Sequence, residues 1–177
     1  RFEEFRGSGE WEETTLEHRA EYVNGKAHEN EISESGNFIV ANSKFISSNG
    51  EVRKFTNNGL CLADQGDILM VMSDVPNGKA IAKCFYVDKN NTYSVNQRIC
   101  KLKPKNTVGL FLFNILNRNS YFLSFDDGVK QTNLRNEDVL NCPILLPIDL
   151  DEQQKIASCL SSIDELISAE TQKLEGL

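Results

Sequence analysis

The chain has 177 residues, 40% of them hydrophobic and 25% charged, a balance that suits one moderate core with an appendage and excludes disorder, a collagen-like repeat and a large multidomain enzyme. Its formal net charge of -7, taken alone, argues against a nucleic-acid partner. The charge is unevenly spread, however: residues 1–37 carry 4 basic and 10 acidic side chains, 38–135 carry 13 and 7, and 136–177 carry 2 and 9, so a basic middle lies between two acidic flanks, and a binding footprint is a local property.

Residues 1–13 (RFEEFRGSGEWEE) are polar but hold Phe2, Phe5 and Trp11, which predicts an extended arm docked on the domain. Without an initiator Met or a signal segment, Arg1 is expected to lie inside a longer protein. Thr14 and Glu17 have the spacing of a capping box, and Leu16, Ala20 and Val23 recur at near-helical steps before Gly25, which predicts a short helix from about Thr15 to Val23. From Asn37 to Leu102 the pattern turns to short β-rich runs: Phe38 to Ala41, Lys44 to Ser47, Val52 to Phe55, Asp67 to Met72, Lys79 to Val87 and Tyr93 to Leu102. The breaks between them, such as Ser48-Asn49-Gly50 and Pro76-Asn77-Gly78, carry residues that tolerate positive φ. A twisted, mainly antiparallel sheet is expected, in an α+β fold.

Val108, Phe111, Leu112, Ile115 and Leu116 predict a buried helix over Thr107 to Leu123, with a second short helix over Arg135 to Leu140. Cys142 to Leu146 reads as a closing strand whose Pro143 points to an edge or an irregular start. Beyond it, Asp149 and Glu152 repeat the capping-box spacing, and Ile156, Leu160, Ile163, Ile167, Glu170, Leu174 and Leu177 form a heptad seam with one polar break. That seam predicts a coiled-coil helix too long for a domain of this size to cover. The expected division is therefore a domain over 1–148 and a pairing helix over 149–177.

No stretch reaches the roughly twenty apolar residues needed to span a bilayer. The five cysteines, Cys61, Cys84, Cys100, Cys142 and Cys159, show no C-x-x-C spacing and read as small apolar residues of a reducing cytoplasm. With only His18 and His28 available, no metal site is expected. Neither G-x-x-x-x-G-K-[ST] nor G-x-G-x-x-G occurs, no base is placed for a hydrolytic triad, and Asp126-Asp127 beside Gly128 reads first as a turn. No catalytic residue is assigned.

What the chain does offer is a basic sheet domain with turns rich in amides and hydroxyls. Asn and Gln can read adenine edges, Arg and Lys guanine, and Ser, Thr and Lys can hold phosphates. The candidate DNA contacts are Lys44, Ser48, Asn49, Arg53, Lys54, Asn57, Asn77, Lys79, Asn90, Lys130 and Gln131, with Ser47, Asn58, Lys89, Asn91 and Asn133 beside them. Lys101, Lys103 and Lys105 alternate, so in an extended run they share one face, as phosphate-tracking lysines do. An edge strand protected by lysines shows the same pattern.

Four segments together resemble a known family: RFEEFRGSGEW, SVNQRICKLKP, GVKQTNLRNEDVLNCPILLP and, most specifically, LPIDLDEQQKIASCLSSIDELISAETQKLEGL with its Pro147, Glu152, Gln153 and Ile156. They are similar to the DNA-specificity (S) subunits of type I restriction-modification systems, over essentially the whole chain. The resemblance implies one target-recognition domain of two, each followed by a long helix that pairs antiparallel with the other as a spacer. Each domain reads one half of a split site in double-stranded DNA. Gly128, Gln131 and Leu134 match a pre-helix segment expected near DNA, whereas Glu152, Gln153 and Ile156 match the helix start and are expected to hold domain to spacer. Ile156, Leu160, Ile163, Ile167 and Leu174 are the expected pairing positions.

The implied partners are methyltransferase (M) subunits and a restriction (R) subunit, which bind S-adenosylmethionine, ATP and Mg; no cofactor is expected on this chain, and the acidic flanks are expected to face the M subunits or the paired helix. Two alternatives remain at the level of sequence. One is the recognition domain of a single-chain type II enzyme of the IIG or IIB kind, and the other is a coiled-coil adaptor without DNA binding.

Overall fold

A computed structural model describes residues 1–28, 31–76 and 78–175, and the candidate Asn77 lies outside the described residues. The fold is α+β and nearly all its strand pairing is antiparallel. Its centre is a four-stranded sheet of β2 (Ala20–Asn24), β9 (Ile99–Pro104), β5 (Ile68–Val71) and β7 (Cys84–Tyr86), in that order. Beside it stands a three-stranded sheet, β4 (Phe55–Thr56), β3 (Phe38–Ala41) and β8 (Tyr93–Val95), in which β3 and β8 run parallel. Two ribbons complete the strands: β1 (Trp11–Thr15) with β11 (Pro143–Pro147), and β6 (Ser73–Asp74) with β10 (Thr132–Asn133).

Both faces of the central sheet are covered, and β5 shows how. Ile68 and Met70 enter one apolar cluster with Cys100, Leu102, Phe111, Leu112, Leu116 and Phe122. Leu69 and Val71 enter a second with Phe45, Ile46, Tyr93, Val95 and Ile99. All four β5 residues are completely buried, which is why the strand reads as an unbroken apolar run instead of an alternation. Each such side chain contributes about 1.5–3 kcal/mol relative to exposure.

The helix expected over Thr15 to Val23 is absent. Thr14 sits in β1 opposite Ile144, residues Leu16–His18 form one 3-10 turn, and β2 follows. A nine-residue helix is marginal by itself, and pairing β1 with β11 and β2 with β9 satisfies the same backbone while still burying Leu16 and Ala20. The strand expected over Lys44 to Ser47 is instead a helix, α1 (Ser43–Ser47), because Asn42 Oδ1 accepts from Phe45 N at 2.9 Å and starts the turn. The run Tyr93 to Leu102 divides into β8 and β9 at Asn96–Arg98, and the runs from Val52 and Lys79 contribute only β4 and β7.

The helix expected over Thr107 to Leu123 is two: α2 (Gly109–Leu116) and α3 (Ser120–Leu123). Arg118, at φ 58°, breaks it, and Asn119 Oδ1 caps α3 by accepting from Tyr121 N. The break docks on the entry to β7, where Arg118 N and Nη1 donate to Ala82 O and Ile81 O and Asn117 Oδ1 accepts from Cys84 N. The short helix near the end, α4 (Asn136–Leu140), and the closing strand starting at Pro143 lie where expected.

Cys61, Cys84, Cys100 and Cys142 are buried thiols, and burial pushes Cys100 and Cys142 up to about 12, so they behave as small apolar groups. Cys159 departs from that expectation and is exposed on the last helix, α5 (Leu150–Glu175). No helix among the described residues is long and apolar enough to cross a membrane.

The first turns of α5 belong to the domain. Glu152, Gln153 and Ala157 are fully buried, and Ile156 packs against the first apolar cluster. Glu152 accepts from Arg1 Nε and Nη2 at 2.8 and 2.7 Å and from Trp11 Nε1 at 3.3 Å, which docks the N-terminal arm. Gln153 accepts from Thr107 Oγ1 and Val108 N and donates to Pro147 O at 2.7 Å. From Leu160 onward the seam is uncovered: Leu160, Ile163, Ile167 and Leu174 are 39%, 46%, 59% and 72% exposed. At about 1.5 Å per residue the helix is about 39 Å long, so most of it carries an apolar stripe that is uncovered among the described residues.

Candidate nucleic-acid interface

At the end of the central sheet where β5 exits and β9 enters, four segments converge. The end of β2 arrives at Asn24, the β8–β9 turn holds Gln97 and Arg98, Met72 and Ser73 follow β5, and Gln131 to Asn136 cross from β10 to α4. Together they line a cleft of about 270 Å³ walled by Tyr22, Asn24, Ser73, Gln97, Arg98, Gln131, Asn133 and Asn136. Leu134 N donates to Met72 O and Met72 N to Arg98 O, so the three inner segments are tied by backbone. Gly25 is needed for the approach: its N donates to Ile99 O, and a Cβ there would lie 2.0 Å from Asn96 O.

The cleft is lined almost wholly by uncharged polar groups. Ser73 Oγ donates to Asn133 Oδ1 at 2.6 Å and accepts from Gln131 Nε2 at 2.8 Å, and Gln131 Nε2 also donates to Asn133 Oδ1 at 3.1 Å. On the other wall the Tyr22 hydroxyl lies 2.8 Å from Asn24 Oδ1 and 2.9 Å from Asn136 Oδ1. Burial pushes the Tyr22 hydroxyl above its ordinary value, so it keeps its single proton at neutral pH. One proton serves one of the two amides, and the other can be satisfied by turning its NH2 to the hydroxyl oxygen.

The loop leading to β10 is shaped by two carboxylates, bearing out the turn reading of Asp126-Asp127. Asp126 Oδ1 accepts from Gly128 N and Thr132 Oγ1, and Asp127 Oδ1 accepts from Val129 N and Lys130 N, which holds the Asp127 carboxyl below the usual range. Positive charge in the cleft comes from Arg98, which is exposed and without an ion pair among the described residues.

The structure disperses the sequence candidates. Gln131 lies in the cleft wall, while Lys79 and Lys130 are exposed and are not among its lining residues. Lys44, Ser48, Asn49, Arg53 and Lys54 cluster around α1, where Ser48 Oγ bridges Phe45 O and Val52 N, Arg53 Nε donates to Gly50 O, and Lys54 pairs with Glu34; Lys44 is exposed, and Asn49 takes φ 53° to make the turn. Asn57 and Asn90 tie their loops to others, their Oδ1 atoms accepting from Asn37 N and Gln65 N. Lys101 and Lys103 share a face of β9, as their alternation predicts, but Lys101 Nζ donates to Leu62 O at 2.8 Å and lies 3.8 Å from Asp67, and Lys103 lies 3.9 Å from Asp64. Both lysines are thus engaged within the chain.

Tyr22, Asn24, Ser73 and Asn136 did not stand out in the sequence. Ser73 closes an apolar run and Asn24 ends a strand, and only long-range pairing sets them beside Gln131. No cluster of three or more His, Cys, Asp or Glu side chains suited to a metal occurs among the described residues.

Residues 8–177 match the family model described as the type I restriction modification DNA specificity domain. No curated protein matches the sequence. Among solved structures, the chain is similar to the S subunit of a type I restriction-modification system from M. genitalium (20% identity, TM-score 0.68, covering 88% of this chain and 39% of that one). It is also similar to a chain from a study of complex assembly and conformational transition of the type I R-M system (16% identity, TM-score 0.71, 92% and 40%) and to the HsdS subunit of Thermoanaerobacter tengcongensis (17% identity, TM-score 0.65, 92% and 39%). The chain spans about two fifths of the length of these structures.

Proposed function

Because this chain belongs to the family of type I restriction modification DNA specificity domains, we propose that it reads one half of a bipartite double-stranded DNA target and directs adenine methylation and cleavage carried out by partner subunits. The observation that carries the reading is the cleft itself: a wall of amides and hydroxyls with the exposed Arg98 guanidinium among them, at one end of a sheet buried on both faces. Amides discriminate bases through paired hydrogen bonds, and cations hold phosphates without reading sequence. A rigid sheet end keeps both in register.

In this reading the chain supplies no catalytic group. Methyl transfer with S-adenosylmethionine belongs to M subunits, and ATP- and Mg-dependent cleavage to an R subunit. The exposed seam of Leu160, Ile163, Ile167 and Leu174 pairs with the helix that follows a second recognition domain. The cytoplasm is where such a complex meets DNA.

The test is to express the full-length protein with its M partner, exchange residues 1–148 for those of another specificity protein, and map methylated adenines on genomic DNA by single-molecule sequencing. One half of the split motif is expected to change with the exchange. A motif that ignores the exchange makes the domain a scaffold and refutes the proposal.

A further inference from the structure

Gln131, Ser73 and Asn133 form a closed triangle whose hydrogen-bond arithmetic has only two solutions. In the first, Gln131 Nε2 donates to Ser73 Oγ and Asn133 Oδ1 while Ser73 Oγ donates to Asn133 Oδ1. In the second, both amides are turned, so that Asn133 donates to Ser73 and to Gln131, and Ser73 donates to Gln131. Turning only one amide sets NH2 against NH2 or oxygen against oxygen and is excluded.

Both solutions leave the same pattern facing away from the triangle: one amide oxygen and one NH2, side by side. In the first, the NH2 of Asn133 makes a single long contact, 3.4 Å to Gln131 O, which uses one of its two hydrogens. Gln131 and Asn133 are both exposed to the cleft, while Ser73 beneath them is buried at 9% exposure.

One acceptor beside one donor is the complement of a single base edge in the major groove. Adenine shows N7 as acceptor and N6 as donor; guanine shows two acceptors, cytosine one donor, and thymine one acceptor with a methyl group. We propose that Gln131 and Asn133 together read one adenine of the target, with Ser73 as the positioning residue that couples their orientations. The inference rests on the DNA-reading function above and adds the residues and the base. Arg98, on the same cleft without an ion pair among the described residues, supplies the adjacent positive charge.

The experiment uses the full-length protein with its M partner and reads the methylated motif for Gln131→Ala, Asn133→Ala, Ser73→Ala and Ser73→Thr. Gln131→Ala and Asn133→Ala are expected to lower discrimination at the same A·T position of one half-motif about tenfold or more. Ser73→Ala relaxes that position too, since each amide loses its bond to the hydroxyl and only their mutual 3.1 Å contact still holds them, and Ser73→Thr restores it by restoring the hydroxyl. A purely structural Ser73 would lower methylation at every site and leave the motif intact. Unchanged motifs, uniform loss of methylation, or relaxation at a G·C position each overturn the assignment of the triangle. The exchange of residues 1–148, run beside them, tells whether DNA reading by the domain falls with it or stands without it.

Discussion

Replacing Gln153 with Ala should be the most damaging single change at the root of α5. Its side chain is fully buried and makes three hydrogen bonds, accepting from Thr107 Oγ1 at 2.8 Å and Val108 N at 2.9 Å and donating to Pro147 O at 2.7 Å. It thereby joins the start of α2, the end of β11 and the first turn of α5. At about 1 kcal/mol per net hydrogen bond, and with the Val108 N–H and the buried Pro147 carbonyl left to find other partners, the loss is about 3 kcal/mol. With a urea m-value of about 2 kcal/mol/M, the unfolding midpoint falls by roughly 1.5 M. Gln154→Ala is the control, because Gln154 is exposed and bonds only Ser158 Oγ within its own helix, so its cost stays within about 0.5 kcal/mol. Gln153→Glu should be worse than Gln153→Ala, since it sets a carboxylate oxygen against Pro147 O in a buried site. Equal midpoint shifts for Gln153→Ala and Gln154→Ala would refute the view that this side chain clamps helix to domain.

The double change Ile163→Asp, Ile167→Asp should leave the unfolding midpoint of the domain nearly unchanged, as both side chains are about half exposed, yet abolish helix pairing seen by sedimentation of the full-length protein; loss of the domain fold would mean the seam is part of the core. Glu152 is held below the ordinary carboxylate range, chiefly by its hydrogen bonds from Arg1. Its contribution is therefore complete above the unfolded value of about 4.3 and is lost as pH falls through the lower folded value. The stability gap between wild type and Glu152→Gln, followed by urea titration across acid pH, should narrow as pH drops, and a gap independent of pH would contradict the assignment. Gly25→Ala forces a Cβ to 2.0 Å from Asn96 O, so it should lower stability and weaken DNA binding by the full complex together; unaltered binding would separate this turn from the reading surface.

The parts of the fold legible in the sequence are those whose cause is local. The Asp149 cap of α5 and its seam, the strand over Phe38–Ala41, the apolar run of β5 and the edge strand at Pro143 carry their signals within a few residues, whereas Glu152, the other half of the expected capping box, bonds Arg1 and Trp11 instead. The failures share a different cause. Thr14 and Glu17 satisfy a capping box on paper, but the partners that make β1 and β2 strands, Pro143–Pro147 and Cys100–Pro104, lie about 80 to 130 residues away. Lys44 to Ser47 looks extended until Asn42 is seen to cap it. At the cleft, counting polar turn residues picked out Gln131, which lines it, but also Asn57 and Asn90, whose side-chain oxygens accept from the backbone of other loops. A polar side chain in a turn is common; whether a distant loop engages it is visible only in three dimensions.

Placement of the cleft and of α5 gives the domain its mechanical logic. The cleft lies where β9 begins, beside Ile99, and the α5 clamp at Thr107 and Val108 lies just past its end at Pro104. Six residues of strand at about 3.3 Å each separate them by roughly 20 Å. β9 is hydrogen-bonded on both sides, to β2 and β5, and the sheet is packed on both faces, so this distance cannot flex without breaking the core. The turns at the cleft can then change their amides without touching Gln153 or the seam. Substitutions at Gln131 or Asn133 should accordingly alter base preference while leaving helix pairing intact, and substitutions at Ile163 or Ile167 should do the reverse. If changes at the cleft altered pairing, the sheet would have to transmit strain along β9, and the separation of reading from assembly would fail.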